Sequence, residues 1–167
     1  GEVNYAPGEP KGTPWHPHRG FETVTYIIDG TFDHQDSHGG GGTITNGDTQ
    51  WMTAGAGILH IEAPPEWLVQ QGGLFHGIQL WVAQPEATRD GPAAFEHRAE
   101  LPQLDLGEAT VTVLVGGLGA VTSPARRDTD HVGLDLVLRA GTTVLPLGTG
   151  YEHGIVVLEG EVAVDGQ

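Results

Sequence analysis

Residues 23–34 read TVTYIIDGTFDH. β-Branched and aromatic residues fill the run up to Ile28. Asp29-Gly30 supplies a tight turn, and a second apolar–polar run starts at Thr31. This arrangement predicts a β-hairpin. The same pattern continues outward on the C-terminal side. Ser37 to Gly42 is a glycine-rich loop, and Asn46-Gly47-Asp48 is a further turn. Residues 51–53, 58–62 and 77–82 read as more short strands between glycines. Helix signals are scarce. The fold class expected is all-β, an antiparallel barrel or sandwich.

Composition narrows the function. The chain has 167 residues, with 27 glycines and 11 prolines, which fits many turns and short strands. Its net charge is −15, with only seven Lys and Arg, and Arg126-Arg127 is the only adjacent basic pair. Phosphate backbones and anionic membranes need a basic patch, so neither is an expected partner. There is no cysteine, which excludes disulfides, zinc ribbons and thiol catalysis. Any metal must sit on histidine and carboxylate. No run approaches 18 apolar residues, and no basic-then-apolar leader opens the chain, so a cytoplasmic monomer is expected.

Residues 85–102 form a polar, proline-containing stretch that reads as a connector, and strands resume at 109–115 and 134–138. Two lobes follow: residues 1–90 as a metal-binding lobe, and 91–167 as connector and partial second lobe. A repeat relates them. Gly20-Phe21-Glu22 recurs as Gly150-Tyr151-Glu152, and Asp29-Gly30 as Glu159-Gly160, each 130 positions on. The second lobe lacks the length to close as the first does, so the chain reads as a piece of a longer protein.

The chemistry concentrates in two short patterns. His16-Pro17-His18 is an H-x-H pair. In an extended segment, residues i and i+2 share a face, so both imidazoles converge. Pro17 restrains His16 towards extended geometry. His60-Ile61-Glu62 repeats the spacing with one imidazole and one carboxylate, between the Gly55-Ala56-Gly57 turn and Pro64-Pro65. Together they offer three nitrogens and one anionic oxygen. That donor set suits one divalent metal: Fe(II), with Mn, Ni, Cu or Zn also accommodated. Glu22 shares the parity of His16 and His18 if the strand is unbroken. It then becomes a ligand, an acceptor for an imidazole N–H, or a base. His34 and His38 flank the glycine loop as a weaker alternative cluster. They and His76, His97, His131 and His153 otherwise read as surface or supporting histidines.

The residues that carry these patterns resemble the pirin family, a branch of the cupin superfamily. His16-Pro17-His18-Arg19-Gly20-Phe21-Glu22-Thr23-Val24-Thr25-Tyr26 looks like its first motif. Gly47-Asp48, residues 50–55, Gly57-Ile58-Leu59-His60 and Glu62 look like its second, and residues 76–82 like the strand that follows. The likeness covers roughly residues 14–85. It implies a bicupin with one metal, usually iron, in the N-terminal barrel, held by His16, His18, His60 and Glu62. The repeat carries His16 and His18 onto Pro146 and Gly148, so the second lobe is expected to be metal-free. Ile61 departs from the pattern and is expected to narrow the pocket.

Some pirins are similar in activity to quercetin 2,3-dioxygenase, which opens flavonols with O2. That resemblance implies a flavonol-like aromatic substrate and O2. Glu62 or Glu22 would take the proton, and Phe21, Met52, Gln79 and Trp81 would line the mouth. The alternative it implies is a redox-sensing regulator acting through protein partners without catalysis. A sugar- or nucleotide-modifying cupin is a third, weaker reading.

Overall fold

The computed structural model describes residues 2–165. The first lobe contains β1 (Glu2–Tyr5), β2 (His16–His18), β3 (Phe21–Asp29), β4 (Thr31–Asp36) and β5 (Gly41–Thr45). It continues with β6 (Thr49–Thr53), β7 (Ile58–Ala63), a short helix α1 (Glu66–Gln71), β8 (Gly73–Ala83) and β9 (Ala94–Arg98). These strands form two antiparallel sheets, in the orders β1-β8-β3-β6-β9 and β2-β7-β4-β5. The sheets face one another: Glu62 of β7 meets Thr25 of β3 and Gln79 of β8, and His18 of β2 packs edge-on against Trp81 of β8. Among the described residues, no helix is long and apolar enough to cross a membrane.

The hairpin expected around Asp29-Gly30 does not form. β3 is central in its sheet, with β8 on one side and β6 on the other, so no edge remains for β4. The turn instead carries the chain from one sheet to the other. Gly30 adopts φ 119°, and its N–H donates to Asn46 Oδ1 at 2.8 Å. Asn46 Nδ2 donates in turn to Asp29 Oδ1 at 2.9 Å. The hairpin that does form is β4–β5, closed by the glycine-rich loop. The connector also differs from expectation. Within residues 85–102, β9 pairs with β6 and extends the first sheet, with Phe95 opposite Met52.

The second lobe has β10 (Gln103–Asp105), β11 (Ala109–Val115) and β14 (Gly133–Leu138) in one sheet, and the small pair β12 (Gly117–Leu118) and β13 (Val121–Thr122). β11 alternates strictly: Ala109, Val111, Val113 and Val115 are buried, while Thr110 and Thr112 are not. Ala109, Val111, Val113 and Leu118 form its core, against which Leu104, Leu134 and Leu136 pack. The recurrent segment at 150–160 is not a strand. Its apolar residues face solvent, with Val156 77% exposed. A strand needs a partner edge and an apolar cover to persist, and nothing among the described residues supplies either. This lobe is an open, incomplete counterpart of the first.

The lobes meet on the back of β3. Val24 and Trp51 pack against Val115, with Val82 and Ala125 around them. Tyr26 Oη donates to Asp135 Oδ2 at 2.9 Å, and burial, then the Asp135 charge, pushes the phenol pKa up. Tyr26→Phe should therefore cost about 1–2 kcal/mol, a hydrogen bond to a charged acceptor partly open to water. Urea unfolding of both proteins checks this.

Candidate metal centre

Strand register assembles the site. β2 and β7 pair with His16 opposite His60 and His18 opposite Ile58. β7 and β4 pair with Glu62 opposite His34 and His60 opposite Asp36. Paired residues of an antiparallel ladder share a face. One face of this sheet thus carries His16, His18, His60, Glu62, His34 and Asp36. Ile61 lies on the other face, opposite Gln35, so it does not narrow the pocket.

His16, His18 and His60 each offer a nitrogen, all within 4.8 Å of one another. His16 Nε2 and His60 Nε2 lie 2.9 Å apart. His16 Nδ1 is 2.8 Å from the Pro14 carbonyl, which can only accept. Nδ1 therefore bears the proton, and Nε2 presents a lone pair towards His60. Nitrogens bound at about 2.0–2.1 Å to one ion and at right angles to each other are about 3 Å apart. The observed spacing fits a shared cation. His18 completes the triangle, with ring centroids 4.8 Å from both His16 and His60.

Two of these rings, His60 and His18, are held below the ordinary imidazole pKa. Burial, then the neighbouring His16, His34 and His18, pushes His60 down to about 3. Burial and then His16 lower His18 as well. An imidazole with a folded pKa below its unfolded value of 6.5 binds fewer protons folded than unfolded between the two values. The metal-free protein should therefore lose stability as pH falls from about 6.5 towards about 3, with no such loss above that window. Thermal melts of metal-free protein across this range check the sign, and His60→Asn should flatten the slope.

Glu62 stands at one side of the cluster. Its carboxylate lies within 4.8 Å of His34 and His60 donors rather than in the group with His16 and His18. Gln79 Nε2 donates to Glu62 Oε1 at 2.6 Å, and Thr25 Oγ1 donates to the same oxygen at 3.5 Å. Burial raises the Glu62 pKa, opposed by the Gln79 hydrogen bond and the nearby His16.

Glu22 is not in the site. Gly20 adopts φ 74° and breaks the parity that linked it to His18. On β3 the odd residues face the histidines, as the Thr25–Glu62 bond and the Phe21–His18 ring contact at 4.9 Å show. Glu22 lies on the even face with Val24 and Tyr26, turned towards the second lobe. It is buried there and accepts from Thr53 Oγ1 at 2.8 Å. It can be neither ligand nor base for this cluster.

The lining candidates divide. Phe21 and Trp81 stack at 4.7 Å over His18, and Trp81 is 66% exposed at the mouth. Gln79 holds Glu62 and lies 3.4 Å from Trp81 Nε1. Met52 is not at the mouth: it is buried with Ala54, Ile58, Ala93 and Phe95. An open groove of about 530 Å³ runs past His18 and Phe21. His34, read from sequence as peripheral, is buried against His60, with Nδ1 to Nδ1 at 3.4 Å. The signal was present in His34-Gln35-Asp36, a further i, i+2 pair of polar residues on a strand. His38, His97 and His131 bond or stack elsewhere.

Known proteins resemble this chain. Residues 1–82 match the pirin family model. A Pseudomonas aeruginosa protein provisionally named a quercetin 2,3-dioxygenase is 37% identical, over 98% of this chain and 59% of its own length. A pirin-like protein of tomato, Solanum lycopersicum, is 35% identical over 95% of this chain and 54% of its own. The chain thus spans little more than half the length of these curated relatives. A crystal structure described as quercetin 2,3-dioxygenase from Acinetobacter baumannii superposes with a TM-score of 0.76 and 36% identity, covering 81% of this chain and 44% of that one. With their antiparallel cupin-type fold and these matches, residues 1–82 form a pirin-family domain.

Proposed function

We propose that the first lobe holds one divalent metal, Fe(II) foremost, through His16, His18, His60 and Glu62, and that the protein opens flavonols such as quercetin with O2. The observation that carries this reading is the convergence of three buried or half-buried imidazole nitrogens beneath a stacked aromatic pair. The second lobe holds no metal in this reading.

When bound, the metal would supply Lewis acidity for an ionised substrate hydroxyl and a path for electrons to O2. The chain's own groups do the rest. Phe21 and Trp81 present flat, apolar faces for a planar aromatic ring. Met52 and Ile58 close the floor against water. Gln79 and Thr25 engage Glu62 Oε1 and so fix the carboxylate plane. With its pKa raised by burial, Glu62 is suited to accept the hydroxyl proton. The relatives' names and the aromatic mouth support this substrate class.

Protein reconstituted with Fe(II), Mn(II), Ni(II) or Cu(II) should bleach flavonol absorbance in air and release carbon monoxide. Full metal occupancy without turnover for any of the four would sink the catalytic reading and favour a metal-dependent regulator.

A further inference from the structure

We infer that His34 and Asp36 are positioning residues that set the tautomer of His60, and thereby which of its nitrogens is offered to the metal. This inference rests on the metal-centre reading above.

Two polar side chains, His34 and Asp36, stand in line behind His60. Its Nδ1 faces His34 Nδ1 at 3.4 Å, and His34 Nε2 faces Asp36 Oδ2 at 3.6 Å. The His34 and Asp36 side chains are only 5% and 1% exposed. His34 Nε2 and Asp36 Oδ2 are both buried without a hydrogen-bond partner among the described residues, and at 3.6 Å they stand just beyond bonding distance of each other. The Phe95 ring stacks on His34 at 4.6 Å and 10°, which prevents the imidazole from tilting away. The other carboxylate oxygen, Oδ1, accepts from the backbone N–H groups of His38 and Gly40 at 2.7 and 2.9 Å.

With a cation shared by His16 Nε2 and His60 Nε2, which face each other at 2.9 Å, one arrangement of neutral rings satisfies the line. A carboxylate oxygen only accepts, so Oδ2 requires the proton on His34 Nε2. His34 Nδ1 then carries a lone pair and accepts from His60 Nδ1. That leaves the His60 lone pair on Nε2, the nitrogen that meets His16 Nε2 at 2.9 Å. The other His60 tautomer would bring two lone pairs together at Nδ1 and place a proton where the ion binds. Outer groups that hand a histidine ligand its orientation typically contribute 10–100-fold in metal affinity.

Asp36→Asn tests the line. The two backbone N–H groups hold the amide oxygen at the Oδ1 position, so the NH2 points at His34 Nε2. The tautomers then reverse, and His60 Nε2 bears a proton. Co(II) titration followed by its visible absorption should show affinity reduced about 10–100-fold. Melting of the metal-free variant should match wild type at neutral pH. His34→Gln, whose amide oxygen can accept from His60 Nδ1–H, should retain more affinity than His34→Phe. In 15N-labelled, zinc-loaded wild type, His60 should show a protonated Nδ1 and a metal-bound Nε2. Wild-type affinity in Asp36→Asn, or zinc on His60 Nδ1, overturns the inference while leaving the metal centre intact. Failure of the wild-type protein to bind Co(II) overturns both.

Discussion

Replacing His60 by alanine is expected to leave the protein folded and its metal site empty. Bound metal after dialysis should fall from one per chain to background, and flavonol turnover should fall by at least about 10³-fold. The size of the effect follows from position. His60 is fully buried, and it is the one residue common to both donor groups, facing His16 with one nitrogen and His34 with the other. Zinc sites of four ligands hold the ion by about 10–16 kcal/mol, so losing one ligand removes roughly two orders of magnitude or more in affinity. Here the loss also leaves His34 Nδ1 facing a void. The strands should survive, because β2 and β7 pair through backbone and not through the ring. Elemental analysis after dialysis, with a thermal melt beside it, checks both halves. A His60→Ala protein that retains one metal per chain would remove His60 from the ligand set.

The convergence of His16, His18 and His60 is legible in the sequence. The i, i+2 spacing in His16-Pro17-His18 and His60-Ile61-Glu62 needs only an extended backbone, and both segments are strands that pair with each other. Where reading failed, the missing information was long-range. The residues flanking Asp29-Gly30 carry the local chemistry of a hairpin, but β3 had both edges filled by β6 and β8, strands that follow later in the chain. His34 is one of nine histidines, and only the β4–β7 register brings it beside Glu62 and within reach of His60. Residues 150–160 repeat the first lobe in sequence, yet a repeated pattern cannot form a strand without a neighbouring edge. Each failure concerns which strand lies beside which, and the periodicity of one strand does not encode that.

The assignment of the two glutamates turns on a single glycine and gives the sharpest contrast in turnover. Glu62→Gln should lower flavonol turnover by about 10²–10⁴-fold, the range for loss of a group that moves a proton in the rate-determining step. Glu22→Gln should leave turnover near wild type. Both substitutions keep size and shape and remove one negative charge, so net charge and packing change equally. The difference lies in the face each residue occupies. Glu62 lies among the histidines, with Gln79 Nε2 donating to its Oε1 at 2.6 Å. Glutamine at 62 keeps an acceptor for that bond but supplies neither the anion for a cation nor a base for a hydroxyl proton. Glu22, turned over by the left-handed backbone at Gly20, accepts from Thr53 Oγ1 on the side facing the second lobe, where an amide oxygen can accept the same bond. Measuring kcat and metal content together separates the two contributions of Glu62. A loss of kcat at full occupancy reports the proton, and a loss of occupancy reports the ligand. If Glu22→Gln instead loses turnover while Glu62→Gln keeps it, the strand runs unbroken through Gly20 in the working protein, and the carboxylate of the first motif serves the metal.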